Sequence, residues 1–329
     1  MIHRAIRHVV TGLLVFGSLI WSGRVSAAGP LDLPAPWPAG DVTVTLPFSP
    51  GSETDVFFAL FRDAFVVSSG RTLTSRHVAG RAGANAWAKM VDDAPDGSVL
   101  TIVVLPDVYL RSLQPDSGVS LDNMTVCHIF AYTPCALWVL ESGAFTSLGD
   151  LTDAARDKQG SLTIAGPGRY STAQLANRAL DRLTGTRTAY IPYVGSVEAA
   201  KAVASGKADA FWGTSMPVSI PGAPFKAVGA AAKNRVSAIG NAPTFAEQHI
   251  PLTEGVYYGI AVPLETQEIT RQEIAAFFAA HAKSGTFLAK GAELGFVPQN
   301  ITGESIPVFL KEIQAAAQQQ AQAYNLNEQ

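Results

Sequence analysis

The chain has 329 residues, 47% of them hydrophobic and 16% charged, with 24 Lys and Arg against 27 Asp and Glu. That length buries a large core and fits two domains better than one. The slight acidic excess, with no clusters of Lys or Arg, excludes nucleic acid and anionic membranes as partners, because both are bound through concentrated positive charge.

At the N-terminus Arg4 and Arg7 precede the apolar run "VVTGLLVFGSLIW", followed by Val25-Ser26-Ala27. A charged lead, an apolar run of 13 residues and a small-residue cleavage site predict a signal peptide over residues 1–27 and an exported protein. The run is shorter than the ~20 apolar residues that span a bilayer, although an uncleaved anchor is the alternative. No Cys lies near the cleavage site, so lipid attachment there is not expected. Loss of Arg4, Arg7 and Arg24 leaves 21 basic residues against 27 acidic, a net charge of about −6.

Residues 29–40, "GPLDLPAPWPAG", form a Pro-rich lead-in without periodicity. Beyond it strand-like and helix-like runs alternate. Strands are predicted at 42–46, 71–78, 98–105, 126–132, 136–140, 161–166, 188–194 and 208–213, and helices at 54–67, 85–94, 172–185 and 197–206. "KAVGAAA", "GVYYGIAVP" and "RQEIAAFFAAHAKS" continue the pattern. A last helix over about 305–324 would bury Ile306, Phe309, Leu310 and Ile313, with a solvated Gln-rich back half. There are no repeats. Such alternation predicts an α/β fold with mainly parallel sheets. Cys127 and Cys135 flank the Thr133-Pro134 bend; spacing leaves open whether they form a disulfide or serve as two small core residues on neighbouring strands.

The stretch "LPFSPGSETDVFFALF" joins the first strand to the first long helix. In open parallel sheets ligands bind beyond the carboxyl ends of strands, where helix N-termini present unpaired N–H groups and a positive dipole end. Proline fixes this turn, Gly51 allows close approach, and Ser52 and Thr54 add hydroxyls. Ser52 to Asp55 resembles a capping pair, so an ordinary capped helix is the plain alternative. "AGPGRYSTAQLA" and "PYVGSVEAA" repeat the design, with Ser171 and Thr172 opening one helix and Tyr193, Gly195 and Ser196 preceding another. Three hydroxyl-rich and glycine-rich helix N-termini suggest a carboxylate receptor.

In these motifs the chain resembles the substrate-binding receptors of tripartite tricarboxylate transporters, the Bug family. The family's proline-glycine turn ending in Thr-Asp is matched by Pro47, Phe48, Pro50, Gly51, Thr54 and Asp55. Its "GAGG" turn is matched in part by Gly80 and Gly83, followed by "PDG" at 95–97. Gly168, Arg169, Tyr170, Ser171 and Thr172 fall on the Gly-Asn-Gly-Thr-Ser turn, and Pro192 to Ser196 on Pro-Tyr-Lys-Gly-Ser. "PTFAE" at 243–247 is similar to the family's Pro-Thr-Leu-Ala-Glu. Against the family, Ser52, Arg169, Tyr170, Val194 and Gln174 replace glycine, asparagine, glycine, lysine and histidine, and Arg81 replaces a small residue.

The resemblance implies a periplasmic binding protein type II-like fold, with two α/β domains and a ligand cleft between them. The expected division is residues 28–137 plus 250–329 for one domain and 138–249 for the other, with chain crossings near 134–141 and 247–258. It also implies a monomeric receptor that binds a small carboxylate and delivers it to membrane subunits of the transporter; a sensor of the same fold is the alternative. The ligand-binding set would be Phe48, Ser49, Gly51, Ser52, Thr54, Asp55, Gly168, Arg169, Tyr170, Ser171, Thr172, Tyr193, Gly195 and Thr214. One carboxylate is expected at Ser49, Ser52 and Thr54, and a second acceptor group at Ser171, Thr172 and the backbone of 168–170. No catalytic residue, metal or cofactor is expected. The six His residues lack metal-ligand spacing, "GTSMP" lacks the last glycine of a nucleophile elbow, and "ASGKAD" lacks the first glycine of a P-loop. Asp92 and Asp93 read as a solvated helix end.

Overall fold

The computed structural model describes residues 36–115 and 117–326; the predicted signal peptide lies outside them. The first elements are β1 (Val42–Leu46), α1 (Glu53–Ser69), β2 (Leu73–His77), α2 (Ala84–Lys89), β3 (Val99–Leu105) and α3 (Asp107–Ser112). A long β4 (Met124–Leu140) leads to α4 (Leu148–Asp157), β5 (Thr163–Pro167), α5 (Thr172–Thr184) and β6 (Ala189–Tyr193). Next come α6 (Ser196–Ala204), β7 (Ala210–Thr214), β8 (Phe225–Ala230) and β9 (Gly255–Pro263). The chain ends with α7 (Glu268–Ala282), α8 (Gly285–Leu294), β10 (Val297–Thr302) and α9 (Ser305–Ala323).

The strands form one ten-stranded sheet in the order β2-β1-β3-β9-β4-β7-β5-β6, with β8 and β10 also on β4. The fold is α/β as expected, but parallel pairing is confined to its two ends. β1 pairs in parallel with β2 and β3, and β5 with β6 and β7. Every pair made by β4, and the β3–β9 pair, is antiparallel.

The two strands expected at 126–132 and 136–140 are one. Thr133 and Pro134 stay in register with Val256 and Gly255. Pro134 sits where β4 changes partners: Met124–Pro134 pairs with β9, and Cys135–Trp138 with β7. A proline lacks the donor that a central strand needs, and that change of partners is where the loss is tolerated. The same continuity decides the cysteines. At ~3.3 Å per residue, eight residues of extended strand hold Cys127 and Cys135 roughly 26 Å apart, far beyond disulfide reach. Both thiols are free and buried.

On α1, Phe57, Phe61 and Phe65 recur every four residues, so they form one buried stripe. Phe57 meets Phe130 and Phe296 with centroids 5.1 Å apart, and Phe61 meets Phe278 at 4.7 Å, mostly edge to face. This core ties the N-terminal strands to β9, α7 and α8. The other end of the sheet is covered on both faces. Alternate residues of β4 point to opposite sides, so Leu137 joins a core with Trp212 and Phe245 while Trp138 joins another with Phe211.

Two local expectations are corrected. Asp93 is not solvated: its side chain is 7% exposed and ion-paired with Arg76 at 2.9 Å. The expected apolar face of α9 is only partly covered, while its Gln-rich half is solvated as expected, with Gln314, Gln318, Gln319 and Gln322 exposed. Ala317 and Ala321 are buried along with Ile306, whereas Phe309, Leu310 and Ile313 are half-buried. Gln320 donates to Glu254 Oε1 at 2.5 Å, just before β9 begins.

Truncating Phe61 to Ala removes a ring with aromatic neighbours on three other elements; a loss of about 3–5 kcal/mol is expected in urea unfolding. Unchanged stability would contradict the packing. Glu254 offers a pH test, because burial pushes its carboxyl up to about 7. From its ordinary 4.5 up to about 7 the folded state holds a proton that the unfolded chain has released, so stability falls as pH rises through this window. Glu254→Gln, which cannot ionise, is expected to flatten that decline in melting temperature measured from pH 4.5 to 8.

Candidate solute-binding cleft

The turn from β1 to α1 is built as a helix start, but the capping differs from the expected pair. Ser52 is the N-cap, yet its hydroxyl makes no bond to the helix backbone. Instead Ser52 Oγ donates to Asp55 Oδ2 at 3.1 Å and lies 2.8 Å from Thr54 Oγ1. Gly51, at φ 88°, donates its N–H to the same Asp55 carboxylate at 3.2 Å, and His77 Nε2 lies 2.8 Å from Asp55 Oδ1. The small polar set therefore holds the turn together. Phe48, Ser52 and Thr54 are buried, Ser49 is half-buried and Gly51 is exposed.

The β5–α5 turn is more strained. Gly168 at φ 42° and Tyr170 at φ 52° lie in the left-handed region, which suits glycine and strains tyrosine. Ser171 Oγ accepts from Gln174 N at 3.2 Å and donates to Gly168 O at 3.1 Å. Gln174 returns the bond by accepting from Tyr170 N at 2.8 Å, which gives this residue a role in shaping the turn. Thr172 is already engaged. Its N–H donates to Asp107 Oδ1 at 2.8 Å and its hydroxyl at 2.5 Å. A carboxylate thus sits at the N-terminus of α5, and it belongs to the protein.

The same happens at the third turn. Gly195 is the N-cap of α6; Ser196 Oγ reaches Glu53 Oε1 at 3.3 Å, and Thr214 Oγ1, at the end of β7, donates to that oxygen at 3.1 Å. Phe48, Glu53, Asp107 and Thr214 line a small cavity of about 30 Å³. Burial raises both Glu53 and Asp107 above the ordinary carboxylate range, against the lowering effect of their hydroxyl donors.

A separate cavity of about 420 Å³ is lined by Arg81, Arg111, Gly168, Arg169, Tyr193 and Glu198. Arg169 stands exposed at its rim, and Tyr193 O accepts from Gly168 N at 2.7 Å. A larger cavity, about 580 Å³, lies between Tyr132, Lys233, Arg235 and Phe296. None of the three helix N-termini opens into it, so it is not the candidate cleft.

The predicted turns therefore converge: the first reaches the third through Glu53–Ser196, and the second meets the end of β3 through Thr172–Asp107. Sequence reasoning missed Glu53, Asp107 and Arg111. Asp107 did carry a signal, since it follows an apolar strand at its carboxyl end, where parallel sheets place ligands. Glu53 was hidden inside the quoted turn as one acid among small polar residues.

The chain is thus an α/β protein in which three helix N-termini gather around one small cavity, and its class follows from its family. Residues 73–319 match the tripartite tricarboxylate transporter family receptors, and the chain belongs to that family, one of receptors rather than enzymes. It is 26% identical over 215 residues to the UPF0065 protein in the tcbD-tcbE intergenic region of Pseudomonas sp. (strain P51), which is 64% of each chain. The chain thus spans just under two thirds of that relative's length. In fold it is similar to the periplasmic binding protein BugD, with TM-score 0.80, 16% identity and coverage of 88% of this chain and 99% of the other. It is likewise similar to an R. palustris protein solved with adipate, with TM-score 0.79, 22% identity and coverage of 88% and 98%.

Gly168 gives the turn a direct test. A Cβ there would collide with the Arg111 guanidinium and the Ala82 methyl, at a φ that L side chains avoid. Gly168→Ala is expected to cost about 1–3 kcal/mol in chemical denaturation. A variant as stable as the parent would refute this packing.

Proposed function

We propose that the protein is an exported receptor that captures a small carboxylate-bearing solute between its two lobes and hands it to the membrane subunits of a tripartite transporter. The observation that carries this reading is the convergence of the three helix N-termini on one cleft beside an arginine-lined cavity. Family membership supports the receptor role, and the adipate-bound relative supports the carboxylate class. Among the described residues no helix is long and apolar enough to cross a membrane. We assign residues 28–137 plus 250–329 to one lobe and 138–249 to the other, with crossings in β4 and just before β9.

Of the residues expected to bind ligand, Gly168, Arg169 and Tyr193 line the open cavity. Ser52, Thr54, Thr172 and Thr214 act behind it, their hydroxyls spent on one another or on internal carboxylates. A ligand touching both lobes stabilises the closed arrangement by its differential affinity.

A thermal-shift screen of small carboxylates tests the class, followed by small-angle scattering with whatever binds. A raised melting temperature together with a smaller radius of gyration is the expected pair of results. A tight ligand that leaves the radius unchanged would reject closure between lobes, and a screen without any binder would reject the carboxylate class.

A further inference from the structure

Arg111 is the most anomalous side chain among the described residues. It is 2% exposed, yet neither Nε nor Nη2 has a hydrogen-bond partner. A buried guanidinium without acceptors is costly, and proteins keep such groups only where something else satisfies them. Asp107, one turn earlier on α3, does not serve, because no ion pair joins them and its Oδ1 is committed to Thr172. Arg111 faces the same cavity as Glu198 of α6, whose buried Oε2 is likewise without a partner. One cavity thus holds an orphaned donor cation and an orphaned acceptor anion, from different lobes and not paired with each other. Arg81 and Arg169 add positive charge to the arginine side.

We propose that this cavity is the solute seat and that its solute is a zwitterion: a small amino acid whose carboxylate meets Arg111 and whose ammonium meets Glu198. The inference rests on the carboxylate-receptor reading above and narrows it. The carboxylate takes paired N–H bonds from the guanidinium, a geometry that suits a planar anion. A dicarboxylate fares worse for two reasons. Its second anion meets Glu198, and the helix N-termini of α5 and α6 are already supplied with negative charge by Asp107 and Glu53. The protein's own acids occupy the places where a second ligand carboxylate would be stabilised.

Titration calorimetry on matched skeletons tests this with the full receptor: 2-aminobutyrate, 4-aminobutyrate, butyrate and succinate, then 2-aminohexanoate, 6-aminohexanoate, hexanoate and adipate. At least one amino acid should bind about tenfold or more tightly than the plain acid and the diacid of its length, the effect of one charged hydrogen bond. Glu198→Gln should abolish that preference, with the plain acid still binding at least as tightly as to the parent. Arg111→Gln should weaken all of them by about tenfold or more. If circular dichroism shows that Arg111→Gln does not fold, the Glu198→Gln ratio, measured at a partly exposed residue, decides alone. Plain acids or diacids that bind as well as the amino acids, or a preference that survives Glu198→Gln, overturn the zwitterion seat but leave a carboxylate receptor standing. Failure of every compound to bind takes down both.

Discussion

Two carboxylates hold the cleft together. Glu53 and Asp107 are contributed by the elements around β1 and β3, and each accepts hydrogen bonds from hydroxyls or an N–H of α5, α6 or β7. Their partners lie 65, 143 and 161 residues away in sequence. Burying an acid is unfavourable unless donors meet it, and here the donors are a helix N-terminus and three hydroxyls. Each acid left by itself would be an uncompensated buried group, and without Asp107 the Thr172 N–H would be an unfilled helix end. The arrangement of the three turns follows from satisfying both at once.

β4 makes that arrangement possible. One strand of 17 residues serves the core under α1 with its first part and the cores around β7 and β8 with its last. Because the backbone does not break at Pro134, the turns before α1, α5 and α6 are carried on one continuous sheet. That sheet sets how closely Glu53 and Asp107 can approach their donors. The aromatic stripe of α1 fixes the other side, since Phe57 meets both Phe130 of β4 and Tyr258 of β9. A shift of α1 would disturb Glu53 and this core together.

Much of the fold was legible in the sequence. Period-2 and period-3.6 runs placed most elements, and the hydroxyl-glycine turns were recognisable as helix starts. What was not legible depended on distant partners. A Thr-Pro pair signals a break locally, yet β9 keeps Thr133 and Pro134 in a ladder. Asp93 resembles a solvated acid until Arg76, 17 residues earlier, is beside it. The hydroxyls of Ser52, Thr54 and Thr172 were read as donors to a ligand at helix starts, but the partners they meet are internal. Nothing near Thr172 in sequence announces Asp107.

Arg111 extends the same logic to charge. A helix that begins with a buried acid at 107 and carries a buried base at 111 would ordinarily pair the two across one turn. Here the acid turns to Thr172 instead, and the guanidinium is left facing the cavity beside Gly168. Gly168 has no side chain to intrude, and any Cβ there would displace the guanidinium. Gly168, Asp107 and Arg111 therefore act as one unit in this chain. Acids supply the helix ends from within, and arginines move the positive charge outward, to a cavity that still has room for a solute.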